Sequence, residues 1–375
     1  MHRLVPWPVA GRTAVDLVRA VAAALDGSGP ALAPHAGGVT PALPADVPDG
    51  VAAVLATSGS TGRPRGVLLD AAALVASATA THDRLGGPGR WVLALPPEHV
   101  AGLQVVVRST LAGVEPVLAD PRDIGTVAMA AREGRVRYAA LVPTQLHRAI
   151  AGVRDRLPAD LAALAGLEAI LVGGAAVPPT LLEHGRALGL RLVTTYGSTE
   201  TSGGCVYDGV PLDGVRVELV DDVVRVAGPT LARGYTEPTA DAFVERDLRR
   251  WFVTSDLGRW TADGRLEVLG RRDDVLVVGG TNVAPQAVER ALATLPEIGE
   301  VCVVGVPDER WGHVPVAVVV ARAPTDLQRA RDVAVRTLGS AAAPRRLVEV
   351  AALPMRPSGK VDRAAVARLV TDEEE

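Results

Sequence analysis

The sequence predicts an α/β protein in two unequal parts, and three observations carry that prediction. At 375 residues the chain is too long for one ordinary core. From residue 51 onward, short apolar runs of strand length alternate with helical stretches, the pattern of layered α/β architecture. After residue 210 the spacing changes to alternating strands and turns, and the polar run "GRRDD" (270 to 274) then precedes a second unit of strand and helix patterns.

Taken in order, the N-terminal stretch breaks its apolar runs with Arg3, Arg12, Asp16 and Arg19, so it reads as neither a signal peptide nor a membrane span. The segments 51–57, 91–95, 137–142, 168–174 and 191–197 read as buried strands, and 99–112, 124–133 and 179–188 as helices between them. In such a unit a ligand gathers at the C-terminal ends of the strands. "VRVELVDDVVRVAG" reads as a hairpin, and "RWFVTSDLGRWTADGRLEVLG" adds strands around a turn at Asp263-Gly264. No repeat and no low-complexity tract interrupts this order.

Composition narrows the function classes. Hydrophobic residues make up 48% of the chain, enough for sizeable cores, and the net charge is −4 without a long basic run, which argues against a nucleic-acid partner. Two cysteines, Cys205 and Cys302, are too few for a disulfide framework and suit a reducing compartment, so a cytoplasmic protein is expected. Of 39 basic residues only Lys360 is lysine. Lysine drifts to arginine wherever charge alone matters, so a surviving lysine marks a place where a compact ammonium is needed.

The densest chemical signal is "TSGSTGRPRGV", which follows a strand. Thr57, Ser58, Ser60 and Thr61 supply hydroxyls, Gly59, Gly62 and Gly66 open the backbone, and Arg63 and Arg65 add positive charge, the parts of a polyphosphate cradle. It is not a Walker A loop, because no Gly-Lys-Ser/Thr closes it. "TTYGSTE" ends another strand: Tyr196 offers a ring to stack on a base, Thr199 a hydroxyl for phosphate, and Glu200 a carboxylate for Mg²⁺. Together the two segments read as an ATP site. Asp256 in "TSDLG" and Arg271 in "GRRDD" are suited to ribose hydroxyls, though each alone is a common turn or surface residue.

Five segments in order, "TSGSTGRPRGV", "YGSTE", "TSD", "GRRDDVLVVGGTNVAPQAVE" and "PSGKVDR", resemble the signature motifs of the adenylate-forming acyl-CoA synthetase superfamily. The resemblance runs from about residue 51 to 366 and leaves residues 1–50 unassigned. It implies a large N-terminal domain of layered sheets and helices, 1–272 and shortened at its N-terminal end, joined by a hinge to a small α+β domain, 273–375. It also implies ATP-driven activation of a carboxylate to an acyl-adenylate, transfer to CoA, and dependence on Mg²⁺. By motif match Lys360 supplies the point charge at the α-phosphate, Tyr196 stacks on adenine beside Gly173, Gly174 and Ala175, Asp273 is the hinge, and Gly279 and Gly280 line the CoA tunnel. Arg65 stands where the superfamily usually carries lysine. A homodimer is the family habit.

For the acid itself, His99 falls where the superfamily places a gate near the carboxylate, and Arg108 lies nine residues on, about two and a half helical turns, from where it is expected to face the same pocket. An arginine among Val and Leu needs an anionic partner. This segment, with "TETSGGCVYDGVPLDGV", resembles the o-succinylbenzoate-CoA ligases of menaquinone biosynthesis, in particular the short actinobacterial type. Their substrate carries two carboxylates, one for activation and one for Arg108, while Ser202, Gly203 and Gly204 leave room for the ring. A ligase for another aryl or fatty acid, and an adenylation module serving a carrier protein, remain as alternatives.

Overall fold

The structure is a computed structural model that describes every residue except 38–42, 59–63, 152–157, 238, 240, 357–360 and 372–375. Four sheets organise the described residues.

The first sheet has six strands, in the order Gly234–Tyr235, Pro64–Asp70, Val51–Ser58, Ala31–His35, His2–Pro8 and Asp46–Val47. Residues 1–50, which the sequence left unassigned, thus build half of this sheet and also supply helix α1, Ala14–Asp26. A capping box between Thr13 and Asp16 starts α1, Gly27 in the left-handed region ends it, and Leu17, Val21 and Ala24 form its buried stripe.

The second sheet carries the predicted alternation. Its order is Val210–Pro211, Gly203–Tyr207, Leu192–Ser198, Ala169–Gly173, Tyr138–Leu141, Trp91–Leu93 and Val117–Leu118. The run from Leu192–Ser198 to Val117–Leu118 is parallel, and Gly203–Tyr207 adds antiparallel beside it. Four of them, Trp91–Leu93, Tyr138–Leu141, Ala169–Gly173 and Leu192–Ser198, match the sequence expectation to within two residues at each end, because buried parallel strands are continuous apolar runs; Val117–Leu118, Gly203–Tyr207 and Val210–Pro211 were not expected. Helices α2, Ala71–Leu85, and α3, Val100–Ala112, pack on this sheet and against α1, which itself lies on the first sheet. Helix α3 buries Leu103, Val105, Val106 and Val107, so apolar residues surround much of its circumference, as expected of a helix enclosed by protein.

The third sheet is antiparallel, built on the long strand Arg249–Trp260 with Arg216–Val220, Val223–Ala227, Phe243–Arg246 and Leu266–Arg271. Its first hairpin turns at Asp221 and Asp222, both at positive φ, as a two-residue hairpin turn requires. The fourth sheet, Thr281–Val283, Leu276–Val278, Gly312–Ala321, Ile298–Asp308 and Arg346–Glu349, carries the helices Pro285–Leu292, Leu327–Leu338 and Arg363–Thr371.

The hydrophobic clusters divide in the same way: three draw only on residues before 269, and two, on opposite faces of the fourth sheet, only on residues after 275. Among the described residues no helix is long and apolar enough to cross a membrane.

Candidate active site

Parallel strands Ala169–Gly173 and Leu192–Ser198 end side by side, with Thr195 opposite Gly173. A Cβ on Gly173 would stand 2.1 Å from Thr195 Oγ1, so only glycine fits this approach. One residue further, Tyr196 donates its hydroxyl to Asp256 Oδ2 at 2.7 Å. Asp256 belongs to Arg249–Trp260, and the register sets it opposite Arg271, whose Nη1 lies 3.9 Å from Asp256 Oδ1. Arg271 Nη2 in turn reaches Asp273 Oδ2 at 3.2 Å.

Four residues from three separate motifs therefore form one continuous polar chain. Burial raises the Asp256 pKa, opposed by the Tyr196 hydroxyl and the Arg271 charge. Burial, then the Asp256 charge, holds the Tyr196 phenol well above its ordinary value, so it stays a donor.

Glu200 sits in a single 3₁₀ turn, Thr199–Thr201, immediately after Leu192–Ser198. Its carbonyl accepts from Ala232 N at 2.8 Å, and its Oε1 accepts from the Tyr235 hydroxyl at 2.9 Å. Tyr235 pairs with Val67 on the strand that leaves the glycine-rich loop, and Thr236 N donates to Gly66 O at 2.8 Å. The first two motifs are thus joined through Tyr235. Its phenol is raised by burial and by the Glu200 charge, with the Arg65 charge opposing. Sequence reasoning missed Tyr235, since a two-residue strand in a Pro/Gly-rich stretch leaves no periodic signal.

Thr57 lies opposite Arg65 where the loop-bearing hairpin opens. Gly59, Ser60, Thr61 and Gly62 lie outside the described residues, as does the Ser58 side chain. Lys360 also lies outside them. Its surroundings do not: Met355 and Val361 bridge across the segment that contains it, and Arg363 makes a two-pronged contact to Glu289 at 2.7 and 2.8 Å. Val303 N donates to the same carboxylate at 2.8 Å, which anchors the start of the last helix on the fourth sheet. Gly279 and Gly280 both have positive φ, and Gly279 packs against the Trp311 ring, so close that its Cβ would lie 2.5 Å from Trp311 Cε3.

On the other side of the large unit, His99 is the N-cap residue of α3. Two and a half turns bring residues 99 and 108 to opposite sides of a helix, which corrects the expectation that both face one pocket through that spacing. The face that meets the turn at 202–204 is instead Val100 and Gln104: Gln104 Nε2 donates to Ser202 O at 2.8 Å, and Ser77 Oγ donates to the same oxygen at 3.0 Å. Ser202 and Gly203 both have positive φ and both are buried.

One turn beyond Gln104, Arg108 is only 3% exposed. Its guanidinium lies 4.9 Å from the centroid of the Trp91 ring, and Nη2 reaches the Tyr207 hydroxyl at 3.5 Å. Among the described residues no carboxylate forms a salt bridge with it, and burial pulls its pKa down. The surface ion pair that would make this arginine ordinary is absent there. Nε of Arg108, Nε2 of His82, Nε1 of Trp91, Oε1 of Gln104 and Oγ of Ser202 are buried without a hydrogen-bond partner among the described residues. His82, also missed from sequence, is driven down to about 4 by burial and then by the Arg108 charge, and is neutral at pH 7.

The two cysteines are buried and unpaired, with thiols pushed up to about 12 by burial, which makes them poor nucleophiles. No group of three metal-ligating side chains exists among the described residues. The Glu200 carboxylate, oriented by Tyr235, fits Mg²⁺ of the kind held mainly by phosphate oxygens and water.

Comparison with known proteins agrees with this geometry. The AMP-binding enzyme family model matches residues 11–236, and the AMP-binding enzyme C-terminal domain matches residues 287–360. The first match begins well before residue 51, in keeping with the strands that residues 1–50 contribute. A probable 2-succinylbenzoate--CoA ligase of Mycobacterium tuberculosis is 47% identical over 335 residues, covering 86% of this chain and 85% of its own. The o-succinylbenzoate CoA synthetase of Bacillus subtilis, solved with its acyl-adenylate intermediate, superposes with a TM-score of 0.72 at 28% identity, over 85% of this chain and 69% of that one. The same synthetase has been solved with ATP and magnesium, giving 0.71 at 28% identity over 84% and 69%. The amide bond synthetase McbA of Marinactinospora thermotolerans gives 0.76 at 25% identity, over 96% of this chain and 83% of that one.

Proposed function

The chain belongs to the AMP-binding enzyme family, and from that membership we propose that it activates 2-succinylbenzoate with ATP and passes the acyl group to CoA. The products are 2-succinylbenzoyl-CoA, AMP and pyrophosphate, a step of menaquinone biosynthesis. One observation on this chain favours a dicarboxylate over a simple aryl or fatty acid. Arg108 is a buried cation with no protein carboxylate beside it among the described residues, and burying such a charge is costly unless an anion joins it.

One carboxylate of the acid attacks the α-phosphate and pyrophosphate leaves; the CoA thiol then attacks the acyl-adenylate carbonyl and AMP leaves. Thr57, Ser58, Gly59, Ser60, Thr61, Gly62 and Arg65 cradle the departing phosphates. Thr199 donates to the α-phosphate, and Lys360 places its ammonium where negative charge grows in the first step. Tyr196 packs on adenine beside Gly173, Gly174 and Ala175. The Asp256 carboxylate, already oriented by Tyr196 and Arg271, accepts from the ribose hydroxyls. Glu200 holds Mg²⁺, which supplies charge neutralisation on the phosphates. His99, in the extended chain that enters α3 and so not bound to the helical face count, serves the carboxylate end of the acyl pocket, with Ser202 and Gly203 along the ring and Arg108 at the second carboxylate.

The separation of hydrophobic clusters around residues 269–275 supports Asp273 as a hinge between domains 1–272 and 273–375. Rotation there withdraws Lys360 after the first step and brings Gly279 and Gly280 to the CoA tunnel. We read the protein as cytoplasmic, where ATP and CoA are available, and as a homodimer, which light scattering tests.

The deciding experiment measures pyrophosphate release and thioester formation with 2-succinylbenzoate, benzoate and a medium-chain fatty acid, for wild type and Arg108→Ala. Turnover confined to 2-succinylbenzoate and lost in the variant is expected. Equal turnover of benzoate or the fatty acid refutes the substrate, and formation of acyl-adenylate without thioester refutes CoA as acceptor.

A further inference from the structure

The contacts around Arg108 form a directed chain over three elements, α2, Gly203–Tyr207 and α3. Thr81, on α2, is fully buried and gives its single hydroxyl proton to Ser77 O at 2.8 Å, one turn back. Its oxygen also lies 2.9 Å from the Tyr207 hydroxyl. Because Thr81 has no second proton to give, Tyr207 must be the donor in that pair. The phenol proton therefore points at Thr81, and the phenol lone pairs are turned to Arg108 Nη2 at 3.5 Å.

Trp91 completes the holder. Its ring lies 4.9 Å from the guanidinium carbon and is itself fixed by Tyr138, with ring centroids 4.9 Å apart. The Tyr138 hydroxyl is tied to Leu85 O and Gly87 O at the end of α2. The guanidinium is thus gripped through Nη2 and one π face, while Nε is unspent.

We propose that Tyr207, with its proton fixed by Thr81, is a specificity-determining positioning residue that aims the free edge of Arg108 at an anionic group on the acid. This rests on the reading of Arg108 given above. A guanidinium on a flexible stem recognises a carboxylate well only when its planar fork is held in register. Tyr207 supplies that orientation without adding charge, so Arg108 keeps its full attraction for the ligand. It acts through Arg108 and is not itself a catalytic residue.

The test compares wild type, Arg108→Ala, Tyr207→Phe, Thr81→Val and the Tyr207→Phe/Thr81→Val double variant. Titration calorimetry gives Kd for 2-succinylbenzoate, for 4-oxo-4-phenylbutanoate, which is the same keto acid without the ring carboxylate, and for ATP. Tyr207→Phe keeps the ring and is expected to weaken 2-succinylbenzoate about three- to tenfold, the worth of one ordinary hydrogen bond, since the 3.5 Å contact is long, while the monoacid and ATP stay within about twofold. Thr81→Val shifts the same Kd in the same direction by less. The double variant matches Tyr207→Phe, because Thr81 acts only through the phenol. Unchanged 2-succinylbenzoate binding in Tyr207→Phe, or equal weakening of both acids, overturns the proposal. If wild type prefers the diacid and Arg108→Ala abolishes that preference while Tyr207→Phe does not, this inference alone fails. If wild type shows no preference, the substrate reading fails with it.

Discussion

The nucleotide side and the acyl side of this site are built on opposite principles. Around the expected ATP position most polar groups among the described residues are already matched, Ser198 Oγ excepted: Tyr196 with Asp256, Asp256 with Arg271, Arg271 with Asp273, Tyr235 with Glu200. Around Arg108 they are not, and Arg108, His82, Trp91, Gln104 and Ser202 each leave a buried atom without a partner. A ligand common to a whole family can be met by a scaffold that is satisfied in its absence. A ligand particular to one enzyme is read by groups whose partners are missing until it arrives, and such groups cost stability while they wait.

Four experiments sharpen or break that contrast. The largest effect is expected at Lys360, the lone lysine. Lys360→Ala should slow pyrophosphate exchange about a hundred- to a thousandfold, as loss of a charge aimed at the transition state does, while CoA transfer from preformed acyl-adenylate continues. Equal loss in both half-reactions would show that Lys360 does not act in the first step alone.

At Arg108 function and stability should separate. Arg108→Met is expected to weaken 2-succinylbenzoate about ten- to a hundredfold yet leave the melting temperature unchanged or higher, since an apolar side chain replaces a buried, unpaired cation. A clear drop in melting temperature would mean that the guanidinium is structural.

His82 gives a pH signature. Its folded pKa of about 4 is below the ordinary 6.5, so the folded state favours the neutral ring. The stability from keeping that ring neutral is fully present above pH 6.5 and is lost as pH falls towards 4, because only the unfolded chain takes up the proton in that window. The full shift is worth about 3 kcal/mol. Denaturant titrations from pH 7 to pH 4 should show His82→Gln flatter than wild type in this window; parallel curves would remove His82 from the account.

The smallest effect belongs to Arg65. Arg65→Lys restores the residue that the superfamily resemblance expects, and where a cation serves phosphates by charge alone the two side chains act alike. The KM for ATP should move by less than about threefold. A tenfold change in either direction would make Arg65 a site-specific fork.

Much of the scaffold was legible beforehand. The strands of the second sheet and helices such as Ile124–Glu133 fall close to where apolar runs placed them, and Tyr196, Asp256 and Arg271 do come together from three separate motifs. Within residues 1–50 the short edge strand Asp46–Val47 was not legible, because it acquires its structure from pairing rather than from local pattern, whereas α1 carried a local capping box and apolar stripe that the motif reading left unused. The spacing argument for Arg108 had the wrong geometry even though the residue proved buried, since a half-integral number of turns separates faces instead of joining them.

What this sequence determined by itself is the order of its motifs and the alternation of its elements, because a strand's apolar run and a phosphate loop's glycines are local properties. The tertiary structure alone decided which polar groups meet. Thr81 and Tyr207 are 126 positions apart, Arg108 and Tyr207 are 99 apart, and Glu200 and Tyr235 are 35 apart. No periodicity reaches that far along a chain: the packing of α2 and α3 against the second sheet joins Thr81, Tyr207 and Arg108, and the pairing of Gly234–Tyr235 with Pro64–Asp70 brings Tyr235 to Glu200.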